Sequence, residues 1–130
     1  MDQEFRAGTP AWHDLTVKHA ERLKSFYEAV IGWRAEAVEM DGYSDFNMLP
    51  PNSMSPAAGI CHARGGNADL PPQWLVYFVV DDLDASLSEV SAQGGSVLKG
   101  PVSVGKNARY AVIKDPAGAV CALYSSGEKD

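Results

Sequence analysis

Three histidines, two cysteines and a handful of tyrosines carry most of the reactive chemistry open to this 130-residue chain. Imidazole titrates near neutrality, so His62 could act as a general acid or base, and Asp14 could orient it if their strands meet. A histidine near a strand end serves equally well as a plain hydrogen-bonding residue. His13 and His19 read as structural or exposed. Tyr77 and Tyr124 join an apolar body to a polar tip, which suits gripping a ligand and lining an interface alike. Cys61 and Cys121 fit neither a CxxC motif nor a disulfide framework, and read as buried free thiols. Lys106 and Arg109 could meet an anionic ligand or be solvated surface charges. The loop at residues 64–67 has too few glycines, and no following helix, to cradle a phosphate.

The bulk composition narrows the setting. A chain of this length is one domain's worth and can bury about two-thirds of its unfolded surface. It is 45% hydrophobic and 22% charged, as globular proteins are. A net charge of −6 argues against nucleic acid and anionic membranes as partners, because both need a basic footprint. With no long apolar run and no leader-like start at Met1, the sequence predicts a soluble cytoplasmic protein.

The elements that would position these residues come in two similar runs. Residues 12–17 alternate, so Trp12, Asp14 and Thr16 share one face while His13, Leu15 and Val17 share the other. A helix follows whose Ala20, Leu23, Phe26, Tyr27, Val30 and Ile31 form an apolar stripe, closed at Gly32 and facing Leu15 and Val17. Strands are predicted at 33–39 and 43–49 around an Asp41-Gly42 hairpin, and at 57–63. The third strand's facing, and so any role for Phe46 or Met48, is left open by the sequence. Residues 65–72 read as a linker. The second run repeats the order with a strand at 74–80 and a helix capped by Asp81 or Asp82 that ends at Gly94. Strands at 96–98, 107–114 and 119–125 complete it. Two βαβββ modules, about 9–64 and 73–125, are therefore expected within one domain at 9–125, with loose ends at 1–8 and 126–130.

The segments Phe26-Tyr-Glu-Ala-Val-Ile-Gly-Trp33, Val80-Asp-Asp-Leu-Asp-Ala85, Gly94-Gly-Ser-Val97 and Asp115-Pro-Ala-Gly118 resemble the vicinal oxygen chelate superfamily. That superfamily includes glyoxalase I, fosfomycin- and bleomycin-resistance proteins and ring-cleaving dioxygenases. The resemblance covers nearly the whole chain. It implies an α+β fold in which paired modules form a curved, eight-stranded mixed sheet around a cavity, and it implies a homodimer. It also places the family's metal ligands at Trp12, about Ile60, Leu75 and Ala122, none of which can coordinate a divalent ion. A slip by one residue would offer His13 and His62 but would turn each strand's apolar set over.

By the same alignment the cavity would be lined by Trp12, Asp14, Thr16, Ile60, His62, Leu75, Tyr77, Ala122 and Tyr124. The expectation is a metal-free, cofactor-free site for a small apolar or aromatic molecule. Two alternatives stand beside it. One is a lyase, isomerase or hydrolase of small carbonyl compounds with His62 as acid or base. The other is a dimerising interaction module in which Trp12, Ile60, Leu75 and Ala122 fill the centre and close it.

Overall fold

The computed structural model describes residues 6–127. Contacts divide them into two units, His13–Trp74 and a second made of residues 6–12 and 75–127. The division falls inside the first strand, between Trp12 and His13. Among the described residues, those before His13 therefore go with the second repeat, where Gly8 N–H donates to the Val79 carbonyl at 2.7 Å and Val79 N–H to Thr9 at 2.9 Å.

The first module runs β1 (Pro10–Val17), α1 (Ala20–Ile31), β2 (Arg34–Glu39), β3 (Ser44–Leu49) and β4 (Ala58–His62). Its strands lie in the order β2-β3-β4-β1, with β1 parallel to β4 and the other neighbours antiparallel. The second runs β5 (Trp74–Val79), α2 (Leu83–Ala92), β6 (Ser96–Ser103), β7 (Arg109–Lys114) and β8 (Val120–Ser125). Its order is β5-β8-β7-β6, with β5 parallel to β8 and the others antiparallel. Among the described residues, eight strands in mixed pairing and two α-helices make the α+β architecture that the resemblance implies.

Local chemistry accounts for the boundaries. Gly32 stops α1 at φ 87°, its N–H donating to the Glu28 carbonyl, a conformation costly for any residue with a Cβ. Asp82 caps α2 by accepting from the Ala85 N–H at 3.1 Å. Asp41-Gly42 turns the β2–β3 hairpin, closed by Met40 N–H on the Tyr43 carbonyl at 2.7 Å.

Each helix covers one face of its own sheet. In the first module Leu15, Ala20, Phe46, Met48 and Ile60 form the core, joined by Leu23 and Tyr27 of α1. In the second, Leu83, Leu87 and Val90 of α2 pack on Ala111, Ile113 and Leu123. The apolar stripe expected on α1 is only partly buried. Ala20 is sealed, but Phe26, Val30 and Ile31 are 51%, 63% and 48% exposed. Helix α1 is rotated so that Ala20, Leu23 and Tyr27 face the sheet. The stripe is thus wider than the sheet face it covers.

Candidate functional site

In the second module the face turned away from α2 is aromatic. Ala111, Ile113 and Leu123 pack toward α2, so alternation turns Tyr110, Val112, Ala122 and Tyr124 the other way. Register completes the set. Tyr77 pairs with Ala122, Val79 with Tyr124, Tyr110 with Tyr124, and Val112 with Ala122. Val112 and Ala122 are fully buried and make a floor of small side chains, with Leu75 and Val79 also buried beside them. Three half-buried tyrosines, Tyr77, Tyr110 and Tyr124, stand around this floor. The Tyr77 and Tyr110 rings lie 5.9 Å apart between centroids, tilted by 50°. Leu75, Tyr77, Ala122 and Tyr124 thus lie on one face of the second module's sheet. Tyr110 is not among the residues the sequence singles out, although its alternation with Val112 and Lys114 could have found it.

Lys99 reaches the same face by an irregularity. Val97 pairs with Ile113 on the α2 side, yet Lys99, two residues on, pairs with the adjacent Val112 on the opposite side. The extra residue bulges out of β6 and reverses the alternation. Lys99 Nζ then donates to the Tyr110 hydroxyl at 2.8 Å. The strand predicted at 96–98 is in fact eight residues long because pairing resumes beyond this bulge. Arg109, which with Lys106 the sequence offers as a cation for an anionic ligand, faces the opposite way and is paired with Asp84 of α2 at 3.0 Å.

The first module departs from the predicted facing in β4. Parallel pairing sets Leu15 beside Ile60, Asp14 beside Gly59 and Thr16 beside Cys61. Ile60 is therefore buried toward α1 with Leu15 and Phe46, not on the face of Asp14 and Thr16. His62 follows Ile60 in alternation, with its ring 6.4 Å from that of Phe46. The face away from α1 instead carries Asp14, Thr16, Asn47, Gly59 and Cys61. The sequence missed this because residues 57–63 alternate between small and mildly apolar side chains, which leaves the register to the neighbouring strands. Phe46 and Met48 both face α1. Trp12 is half-buried on β1, and Thr16 is buried.

The residue that reasoning from sequence passed over is Asp45, only 9% exposed. One of its oxygens accepts the His62 backbone N–H at 2.9 Å and meets His62 Nδ1 at 3.2 Å. A carboxylate only accepts, so Nδ1 carries the proton and Nε2 is the basic nitrogen. Asp45, not Asp14, orients His62. Tyr43 stands edge-on to the His62 ring at 5.4 Å, and the Arg64 guanidinium lies 3.9 Å above the Tyr43 ring.

Asp45 also accepts from the Cys61 thiol. Burial first, then the Asp14 and Asp45 carboxylates, push that thiol far above its ordinary range. Burial and Asp115 raise the Cys121 thiol in the same direction. For Cys61 the linkage has a definite sign. In an unfolded chain a thiol ionises near pH ~8.5, so above that pH the unfolded state releases a proton that the folded state keeps. Stability then falls as pH rises, by at most about 1.4 kcal/mol per pH unit. Between pH 8 and pH 10, urea unfolding is expected to show the native chain losing about 1–2 kcal/mol more than Cys61→Ser. Parallel losses would mean that the thiol ionises as readily folded as unfolded.

The ligand positions that the resemblance implies do not fit a divalent metal. Tryptophan, leucine and alanine at Trp12, Leu75 and Ala122 offer no lone pair suited to one. The corrected register of β4 substitutes Gly59 or Cys61 for Ile60, which means no side chain or a thiol held protonated. Among the described residues no group of three or more His, Cys, Asp or Glu could hold a metal ion.

Comparison with known proteins agrees with this architecture. The model of the Glyoxalase/Bleomycin resistance protein/Dioxygenase superfamily matches residues 9–123. CFP32 of Mycobacterium tuberculosis is 32% identical over 124 residues, covering 95% of this chain and 48% of that protein. The anthracycline biosynthesis protein DnrV of Streptomyces peucetius is 33% identical over 134 residues, covering 95% and 49%. The chain thus spans about half the length of the curated relatives it matches. Among solved structures, a superfamily member from Vibrio splendidus 12B01 superposes with a TM-score of 0.58 at 12% identity, over 88% of this chain and 97% of that one. Methylmalonyl-CoA epimerase from Mycobacterium tuberculosis gives 0.51 at 19%, over 87% and 84%. At these identities the two structures speak for the fold alone. No helix among the described residues is long and apolar enough to cross a membrane. The paired βαβββ modules and the match over residues 9–123 establish that this chain belongs to the Glyoxalase/Bleomycin resistance protein/Dioxygenase superfamily.

Proposed function

We propose that the chain binds a small planar aromatic molecule on the tyrosine-bearing face of the second module, without a divalent metal. The observation that carries this is the set Tyr77, Tyr110 and Tyr124 around the floor of Val112 and Ala122. Rings standing beside small apolar residues bind flat apolar surface, while their hydroxyls orient it. The similarity to a protein of anthracycline biosynthesis supports the same ligand class. Trp12, Asp14, Thr16, Ile60 and His62, which the sequence places in the cavity, are not needed for this reading.

Isothermal titration with planar tricyclic compounds tests it. Saturable binding that EDTA leaves unchanged is expected, weakened roughly fivefold by Tyr77→Ala through the loss of about 1 kcal/mol of ring contact. Binding that appears only with added metal would end the proposal. The homodimer implied by the resemblance belongs to it too, with Phe26, Val30 and Ile31 offering apolar surface for a second copy. Light scattering at the mass of a single chain would remove that part.

A second reading, acid–base catalysis by His62 on a small carbonyl compound, is favoured by one contact. Asp45 holds the ring in a single tautomer with Nε2 as the base. EDTA-resistant turnover on a carbonyl panel that falls at least a hundredfold in His62→Ala would put it first, in line with about 10²–10⁴ for a general base.

A further inference from the structure

We propose that Arg64 binds the carboxylate of the compound on which His62 acts, so that the substrate is a 2-oxo acid with an acidic methylene beside its carbonyl. This rests on the second reading above, His62 as acid or base, and names its substrate class.

Backbone geometry turns the two side chains to one side. Beyond β4 the chain stays extended. Ala63 N–H donates to the Val17 carbonyl at 2.9 Å, and Arg64 itself has φ −139° and ψ 153°. Side chains two apart on an extended chain point the same way with their Cα atoms about 7 Å apart, so Arg64 follows His62. Tyr43 touches both. Its ring centroid lies 3.9 Å from Arg64 Cζ and 5.4 Å from that of the His62 ring.

Each group keeps a function that its neighbours do not use. Asp45 engages Nδ1–H of His62, and Nε2 has no hydrogen-bond partner among the described residues. Arg64 is held by the face of a ring, and among the described residues it has no ion pair. Stacking restrains the guanidinium while its N–H groups, which lie in its own plane, stay available to an anion. That planar fork matches a carboxylate. In a 2-oxo acid only the carbonyl carbon separates the carboxylate from the methylene, so a carboxylate on Arg64 presents the methylene to the imidazole beside it.

The chemistry balances without another reactant. The Nε2 lone pair takes a methylene proton, the C–H electrons form the enolate double bond, and the carbonyl electrons move onto oxygen. The guanidinium stabilises the negative charge that develops. Nε2–H, after exchange with solvent, returns a proton to carbon and restores the acid.

Deuterium uptake at the methylene of 2-oxobutanoate and of neutral 2-oxobutanamide tests this by proton NMR in D2O with EDTA present. Each rate is divided by that of a blank without protein, which removes the difference in intrinsic acidity. The native chain is expected to favour the acid by about tenfold or more in kcat/KM, as for a charge-assisted hydrogen bond. Arg64→Met should bring that ratio to about one, chiefly through KM. Arg64→Lys keeps the charge without the fork and should restore part of it. Arg109→Met, in the second module, should keep the full ratio, and His62→Ala should abolish uptake by both compounds. Circular dichroism confirms that each variant is folded. Equal uptake by both compounds in the native chain, or a preference that survives Arg64→Met, overturns the assignment of Arg64 and leaves His62 as the base. Uptake undiminished in His62→Ala, or none above the blank with either compound, overturns both.

Discussion

Asp45→Ala is expected to lower the unfolding free energy by about 2–4 kcal/mol, read as a shift of the urea midpoint at unchanged slope. The size follows from how many groups depend on one side chain. Asp45 is nearly buried and accepts from the His62 backbone N–H, His62 Nδ1–H and the Cys61 thiol. Alanine leaves all three donors without that partner in a site that water reaches poorly, and an unmatched buried donor costs about 1–3 kcal/mol. Asp45→Asn keeps one acceptor oxygen and should lose about half as much. The His62 side chain lies at the strand end, so His62→Ala should cost less than either. A loss below about 1 kcal/mol in Asp45→Ala would show that water replaces the carboxylate. The contact would then serve only to orient the imidazole.

Gly100→Ala should be comparably damaging, by about 2–4 kcal/mol, from two sources that a control can separate. Gly100 sits at φ 98°, which costs a residue with a Cβ about 1–2 kcal/mol. Its missing Cβ would also stand 2.8 Å from the Tyr110 carbonyl oxygen and 3.2 Å from the Ala111 Cβ, so β7 would have to move. Gly118 has nearly the same φ, 95°, and a Cβ there would meet nothing within 4 Å. Gly118→Ala should therefore show the conformational cost alone, about 1–2 kcal/mol. Equal losses in the two variants would mean that β7 yields freely and that the close approach contributes nothing. Because Gly100 adjoins the bulge, its alanine variant should also weaken the contact of Lys99 with Tyr110.

Much of the fold was legible in the residues. Gly32 and Asp82 marked helix ends, Asp41-Gly42 marked a hairpin, and the recurrence of one strand–helix pattern predicted two βαβββ modules. These signals are local, carried by backbone conformations and caps that a few residues set among themselves. Three of the four site strands could also be oriented, because β1, β5 and β8 carry side chains in readable alternation. Strand β4 could not. In Ala58-Gly-Ile-Cys-His62 no face is clearly more apolar, so the parallel pairing with β1 decides that Ile60 turns to α1. Asp45 was invisible for the same reason, since its role depends on where β4 ends beside it.

By itself the sequence determined the order of elements, the family-like repeat and a chain poor in metal donors at the positions that matter. Only the tertiary structure decided which side chains share a face. A strand's side-chain period is two, so one residue of register, or one bulged residue such as that between Val97 and Lys99, moves everything beyond it to the other side.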